Sequence, residues 1–217
     1  SFSESSVNKW TPIGTESVPF EGTFNGNGHT VSGLYVDTTD NYVGLFGSVV
    51  NPVVETDDNG NIVVDTRISS LNVADSYIRA NQNVGGVVGY LKNAGATNCS
   101  FSGVIDGDYN SVGGIVGWAY SDSIVSECKS TGSVSGNQRV GGITGFVSGN
   151  AVVERCYSTA SVSGASNVGG LVGTLSGSSL NGSFFKGEVS ATDRVGGLVG
   201  YSAFGNMTSL YAIAPVK

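Results

Sequence analysis

An all-β protein, a single-domain parallel β-solenoid, is the fold class that this sequence predicts, and three observations carry the prediction. First, one short pattern occurs six times: Val43-Gly44-Leu45-Phe46-Gly47, one glycine short, then Val84–Gly89, Val112–Gly117, Val140–Gly145, Val168–Gly173 and Val195–Gly200. Second, the copies are periodic, because Val84, Val112, Val140 and Val168 stand 28 residues apart and the last step is 27. Third, other apolar positions keep the same register. Cys99, Cys128, Cys156, Ser183 and Leu210 form one column with Leu71, and Ala96, Val125, Val153, Leu180 and Met207 form another three residues earlier. Each repeat thus holds about three short apolar pieces separated by Ser, Gly, Asn and Asp, as one coil of a solenoid requires. No stretch keeps a helical period free of glycine, and a propeller blade needs about 40 residues. Coiling is expected to be right-handed, as parallel crossovers are.

Taken in order, residues 1–42 are expected to form an N-terminal cap and the first coil, with Trp10, Pro12, Phe20 and Phe24 plugging one end. Residues 43–217 are the repeat solenoid of the same domain. The step from Val43 to Val84 is 41 because residues 51–67 are inserted. There Val53-Val54-Glu55-Thr56 and Ile62-Val63-Val64-Asp65 flank Asp57-Asp58-Asn59-Gly60-Asn61, the pattern of a β-hairpin. Within the repeat, Leu45, Val87, Ile115, Ile143, Leu171 and Leu198 are uniformly branched and are expected to point inward. The next column, Phe46, Val88, Val116, Thr144, Val172 and Val199, tolerates Thr and is expected on a less tightly packed face. The glycines are expected to permit corners and close backbone approach. Val216 begins a further coil, so the parent protein is expected to continue past Lys217.

Composition narrows function. Charged residues are only 12 %, while glycine occurs 34 times at fixed intervals rather than at random. A net charge of −7 argues against a nucleic-acid partner. No apolar run approaches the ~20 residues of a membrane span, so membrane insertion is not expected. The chain has one histidine, His29, too few for a His-Glu-x-x-His zinc site, and no metal or cofactor is expected. The three cysteines share one column and are expected to be buried free thiols. Asp57–Asn61 and Asp106–Asn110 look like turns more than calcium loops, lacking the closing acid. A β-helix acting on glycans would need clustered carboxylates on an outer face. Here Asp75, Asp106, Glu127, Glu154, Glu188 and Asp193 scatter, except that Glu127 and Glu154 are expected to stack on neighbouring coils, with Arg155 and Lys129 close by.

The residue after each motif's last glycine is Ser48, Tyr90, Trp118, Phe146, Thr174 and Tyr201. An unbroken strand would point these outward. Tyr90, Trp118, Phe146 and Tyr201 are therefore the candidate ligand-binding residues, a platform for a sugar or a peptide, unless the rings only shield a corner of the coil.

Gly-Leu-Val-Gly at 170–173 and 197–200 and Gly-Leu-Phe-Gly at 44–47 resemble the GLUG-motif repeat, as do Phe24–Leu34 and Cys156-Tyr157-Ser158-Thr159. Residues 86–89, 114–117 and 142–145 depart from it by using Val or Ile. The resemblance implies an exported bacterial protein, secreted or at the cell surface, and includes the non-catalytic regions of immunoglobulin A metalloproteases and surface adhesins. It implies a non-catalytic adhesion, binding or spacer module, with a host protein or glycan as partner and other domains in a longer parent chain. A glycan-active β-helix enzyme is the alternative.

Overall fold

The computed structural model describes residues 9–60 and 62–217, and every regular element in them is a strand. Each repeat contributes to three parallel sheets that run the length of a β-solenoid. The first sheet holds the strands after each motif: Phe46–Val50, Val88–Lys92, Val116–Tyr120, Thr144–Ser148, Val172–Ser176 and Val199–Ala203. The second, seven-stranded, follows it in each coil and includes Ala94–Thr97, Ile124–Ser126 and Val152–Glu154. The third holds the long strands that lead into the next motif, among them Ser100–Gly113, Lys129–Gly141 and Ser161–Gly169.

The register reproduces the sequence period. Val84 pairs with Val112, Val112 with Val140, Val140 with Val168 and Val168 with Val195. Neighbouring coils lie about 4.8 Å apart, so every alignment column becomes a stack of side chains. One such stack, Val36, Ile78, Ile105, Val134, Val162 and Val189, is buried throughout. Branched aliphatics suit it because their stiff side chains pack regularly on a pleated surface.

The corners of the coil fall on residues with left-handed backbone. One column is Ser70, Asn98, Glu127, Arg155, Gly182 and Ser209, with φ between 50° and 56°. A second is Tyr42, Asn83, Ser111, Arg139, Asn167 and Arg194, with φ between 51° and 58°. A third follows the first sheet and includes Asn93, Ser121, Asn150, Gly177 and Phe204. A single left-handed residue turns the strand without ending the ladder. Its steric cost, roughly 1 kcal/mol for a residue with a Cβ, is borne because three bends close each coil.

Motif glycines serve another purpose. None of the motif glycines has a positive φ, so they do not make the corners, contrary to half of the sequence expectation. They let backbone meet backbone. A Cβ on Gly145 would overlap the Ser111–Val112 peptide of the preceding coil, and one on Gly142 would strike Ser158.

The expected difference between the two columns inside the motif is not found. Val88, Val116, Thr144 and Val172 are as fully buried as Val87, Ile115, Ile143 and Leu171. The reason is a bend at Gly86–Val87 and its equivalents, where one strand stops and the next begins, so alternation does not carry across.

At the start of the solenoid the segment 9–24 lies along the first coil. Ile13 bridges Phe46, Phe20 bridges Val49, and the rings of Phe20 and Phe24 meet Phe46 at 5.2 and 5.4 Å. Trp10 Nε1 donates to the Leu45 carbonyl at 3.1 Å. The insert carries an exposed antiparallel pair, Glu55 with Val63 and Thr56 with Ile62. At the other end, among the described residues, Tyr211–Ile213 pairs only with Phe184–Lys186, and Phe204, Met207 and Ile213 are exposed.

Candidate functional site: an aromatic ladder on the first sheet

The parallel register of the first sheet sets Ser48, Tyr90, Trp118, Phe146, Thr174 and Tyr201 in one row across its strands. Along each strand the next residue, Val49, Leu91, Ala119, Val147 or Leu175, is fully buried. Tyr90, Trp118 and Phe146 are half-buried instead, as alternation requires of an outward row. The coil spacing is close to the separation aromatic rings prefer. Tyr90 and Trp118 lie 5.1 Å apart between ring centres, and Trp118 and Phe146 lie 5.5 Å apart and nearly parallel.

The structure brings three of the four expected residues together and separates the fourth. Thr174, buried, occupies the step between Phe146 and Tyr201. Tyr201 is exposed, and its ring is covered by the Arg194 guanidinium at 5.4 Å.

Three further residues complete the ladder. Tyr42 meets Tyr90 at 5.5 Å, Tyr120 meets Trp118 at 5.4 Å, and the Arg139 guanidinium sits 4.4 Å over the Phe146 ring. Tyr120 was within reach of sequence reasoning, since it stands two residues past Trp118 and so on the same side of the strand. Tyr42 and Arg139 were hidden because they occupy the left-handed corner before the motif valine, where strand parity says nothing. At that corner both side chains reach across to the ladder.

Hydrogen bonds fix the polar edges of the rings. Trp118 Nε1 donates to Ser148 Oγ at 2.9 Å, and the Tyr42 hydroxyl donates to Glu16 Oε1 at 3.3 Å. Burial, then the neighbouring Tyr120, Tyr42 and Glu16, pushes the Tyr90 hydroxyl from its ordinary value of 10.0 up to about 12. Burial and the Glu16 carboxylate also raise Tyr42. At the head of the ladder, Pro12, Glu16, Asp40, Asn41 and Tyr42 line a cleft between the N-terminal segment and the first coil. The site is thus a row of rings with a cation at one end and an acidic cleft at the other.

The carboxylates take a different arrangement from the one expected. Glu154 stands opposite Ser126, not Glu127. The sequence separates Glu127 from Cys128 by one position but Glu154 from Cys156 by two. Arg155 fills the place beside Glu127, with ion pairs to Glu127 at 3.4 Å and Glu154 at 2.6 Å. A guanidinium stands between the two carboxylates, which therefore do not face each other across an open gap as an acid–base pair does. Of the turn acids, Asp108 pairs with Arg79 at 3.2 Å and Asp106 accepts from Ser135 Oγ at 3.0 Å. Asp57 accepts from the Asn59 amide at 2.9 Å, while Asn61 lies outside the described residues.

Cys99, Cys128 and Cys156 are buried and free. Each thiol donates to the carbonyl two residues earlier, at 3.4, 3.1 and 3.2 Å. Burial drives the Cys128 thiol well above its ordinary range, and a hydrogen bond with Cys128 lowers Cys99.

Fold and site together define a parallel β-solenoid repeat module. The family model of the GLUG motif matches residues 108–135 and 136–163, so this chain carries GLUG-motif repeats. A stretch of 41 residues is 49 % identical to a candidate Gly-rich membrane protein of Evansella cellulosilytica, covering 18 % of this chain and 5 % of that protein. Over 103 residues the chain is 35 % identical to halomucin of Haloquadratum walsbyi, covering 46 % of this chain and 1 % of halomucin. The chain therefore spans only a small part of either relative. The crystal structure of a candidate immunoglobulin A1 protease from Bacteroides ovatus superposes with a TM-score of 0.71 over 98 % of this chain and 67 % of that one. At 18 % identity that likeness is one of fold.

Proposed function

We propose that this chain is a non-catalytic module of a surface or secreted protein, and that its aromatic ladder binds a glycan. The observation that carries the reading is the continuous row Tyr42, Tyr90, Trp118 and Phe146, with Arg139 closing one end. Aromatic faces held at coil spacing suit the apolar faces of successive sugar rings, and indole and phenol edges suit their hydroxyls. The ion-paired Glu127–Arg155–Glu154 group supports a role without catalysis. Halomucin and a Gly-rich membrane protein among the relatives support placement outside the cell or at its surface.

A spacer is the second reading, and it is favoured by the extent to which the rings cover one another. Trp118→Ala separates the two. Binding to a panel of immobilised neutral glycans is expected to fall at least tenfold while the melting temperature drops only a few degrees. A large fall in melting temperature, or no binding by the unaltered protein, would favour the spacer.

A further inference from the structure

A second aromatic row lies on the third sheet, apart from the ladder. Register aligns Lys129 with Tyr157, Tyr157 with Phe184 and Phe184 with Tyr211. The Tyr157 and Phe184 rings stack at 5.1 Å with only 5° between their planes. This row opens further to solvent than the ladder: Phe184 is 41 % and Tyr211 61 % exposed. The column continues upward in polar residues, where Ser100 Oγ donates to Asn72 Oδ1 at 2.5 Å. A shallow groove runs from Asn72 and Ser100 past Lys129 and Thr131 to Tyr157.

The chain carries a net −7, yet two lysines border the rings: Lys129 at the head of the row and Lys186 two residues along the strand from Phe184. Neither lysine has an ion pair among the described residues. The acids nearby pair with other cations, Glu127 and Glu154 sharing Arg155 and Glu188 meeting Lys217 at 3.7 Å. The groove itself holds a run of hydroxyl and amide groups with Lys129 and Tyr157, and the row continues beyond it through the exposed Phe184 and Tyr211, with Lys186 on the same side of the strand as Phe184.

We propose that this groove and the aromatic row that extends it bind a polysaccharide strand bearing carboxylates, a polyuronate, laid along the solenoid axis. The exposed parts of the rings pack against the sugar rings, the Asn72–Ser100 column meets their hydroxyls, and Lys129 and Lys186 pair with carboxylates. An acidic peptide would meet the lysines equally well, but three aromatic residues in one register, a coil apart, fit repeated sugar rings better than irregular side chains. This site does not depend on the ladder, and its test keeps the two apart.

The test compares two hexamers with one backbone, β-1,4-linked mannuronate and β-1,4-linked mannose, titrated calorimetrically into the intact chain. The mannuronate hexamer is expected to bind at least tenfold more tightly than the mannose hexamer. Phe184→Ala is expected to weaken mannuronate binding at least tenfold, and Phe184→Tyr to retain it, which guards against a folding defect. The double variant Lys129→Gln/Lys186→Gln is expected to bring the two ligands level, whereas Trp118→Ala leaves mannuronate binding unchanged. No binding of mannuronate, equal binding of both hexamers, indifference to Phe184→Ala, loss through Trp118→Ala, or tighter binding of hexaglutamate would each overturn the proposal.

Discussion

Thr144 is the one motif residue whose chemistry is out of keeping with its place. The column holds Phe46, Val88, Val116, Val172 and Val199 in the other copies, and Thr144 is fully buried with no hydrogen-bond partner for Oγ1 among the described residues. Sequence reasoning took this hydroxyl as a sign of looser packing, when it is a polar atom in a closed core. Thr144→Val keeps the shape and removes the unpaired group, so it is expected to stabilise the chain by about 1–2 kcal/mol. Chemical denaturation measures this directly as a higher midpoint at unchanged slope. A lower midpoint would mean that the hydroxyl is satisfied after all. Phe204 makes a similar point at the corners, for it stands at φ 56° while 99 % exposed. Nothing in its side chain recommends that residue for the position, so the coil's need for a bend there is what decides the conformation.

At the scale of the coil, the motif is a packing device. Valines fill the interior and glycines let two strands of adjacent coils touch without side chains between them. Gly145→Ala places a methyl group into the Ser111–Val112 peptide, which is backbone and cannot rotate away. Overpacking of this kind costs about 3 kcal/mol, and thermal unfolding of the variant is expected to show a loss of that size. A variant as stable as the parent would mean that the coils are less closely apposed than described. The ladder illustrates what could be foreseen at this scale and what could not. Tyr90, Trp118 and Phe146 followed from counting, because one period sets them side by side. Arg139 did not, because its approach to Phe146 depends on a left-handed φ of 55° that no period encodes. The Glu127 and Glu154 error has the same origin: a register displaced by one residue exchanges a carboxylate for the Arg155 guanidinium, and with it the electrostatics of the surface.

For the whole molecule, the architecture was the most legible feature, since a 28-residue period with apolar columns leaves few folds other than stacked coils. Function was less so, because a repeat constrains its core in every copy and its outer face in none. Rows on that face change identity from coil to coil: Ser48, Tyr90, Trp118, Phe146 and Thr174 in one, Ser100, Lys129, Tyr157, Phe184 and Tyr211 in another. These departures from repetition are what the chain has available for recognition, and the central claim is that the first row is so used. The most direct measurement follows the Trp118 indole N–H resonance while a neutral glycan retained by the protein is titrated in. If the ladder is the binding surface, this resonance, with those of Tyr90 and Phe146, moves with the same saturation curve as binding itself. A glycan that binds to saturation while the Trp118 resonance stays in place would contradict it.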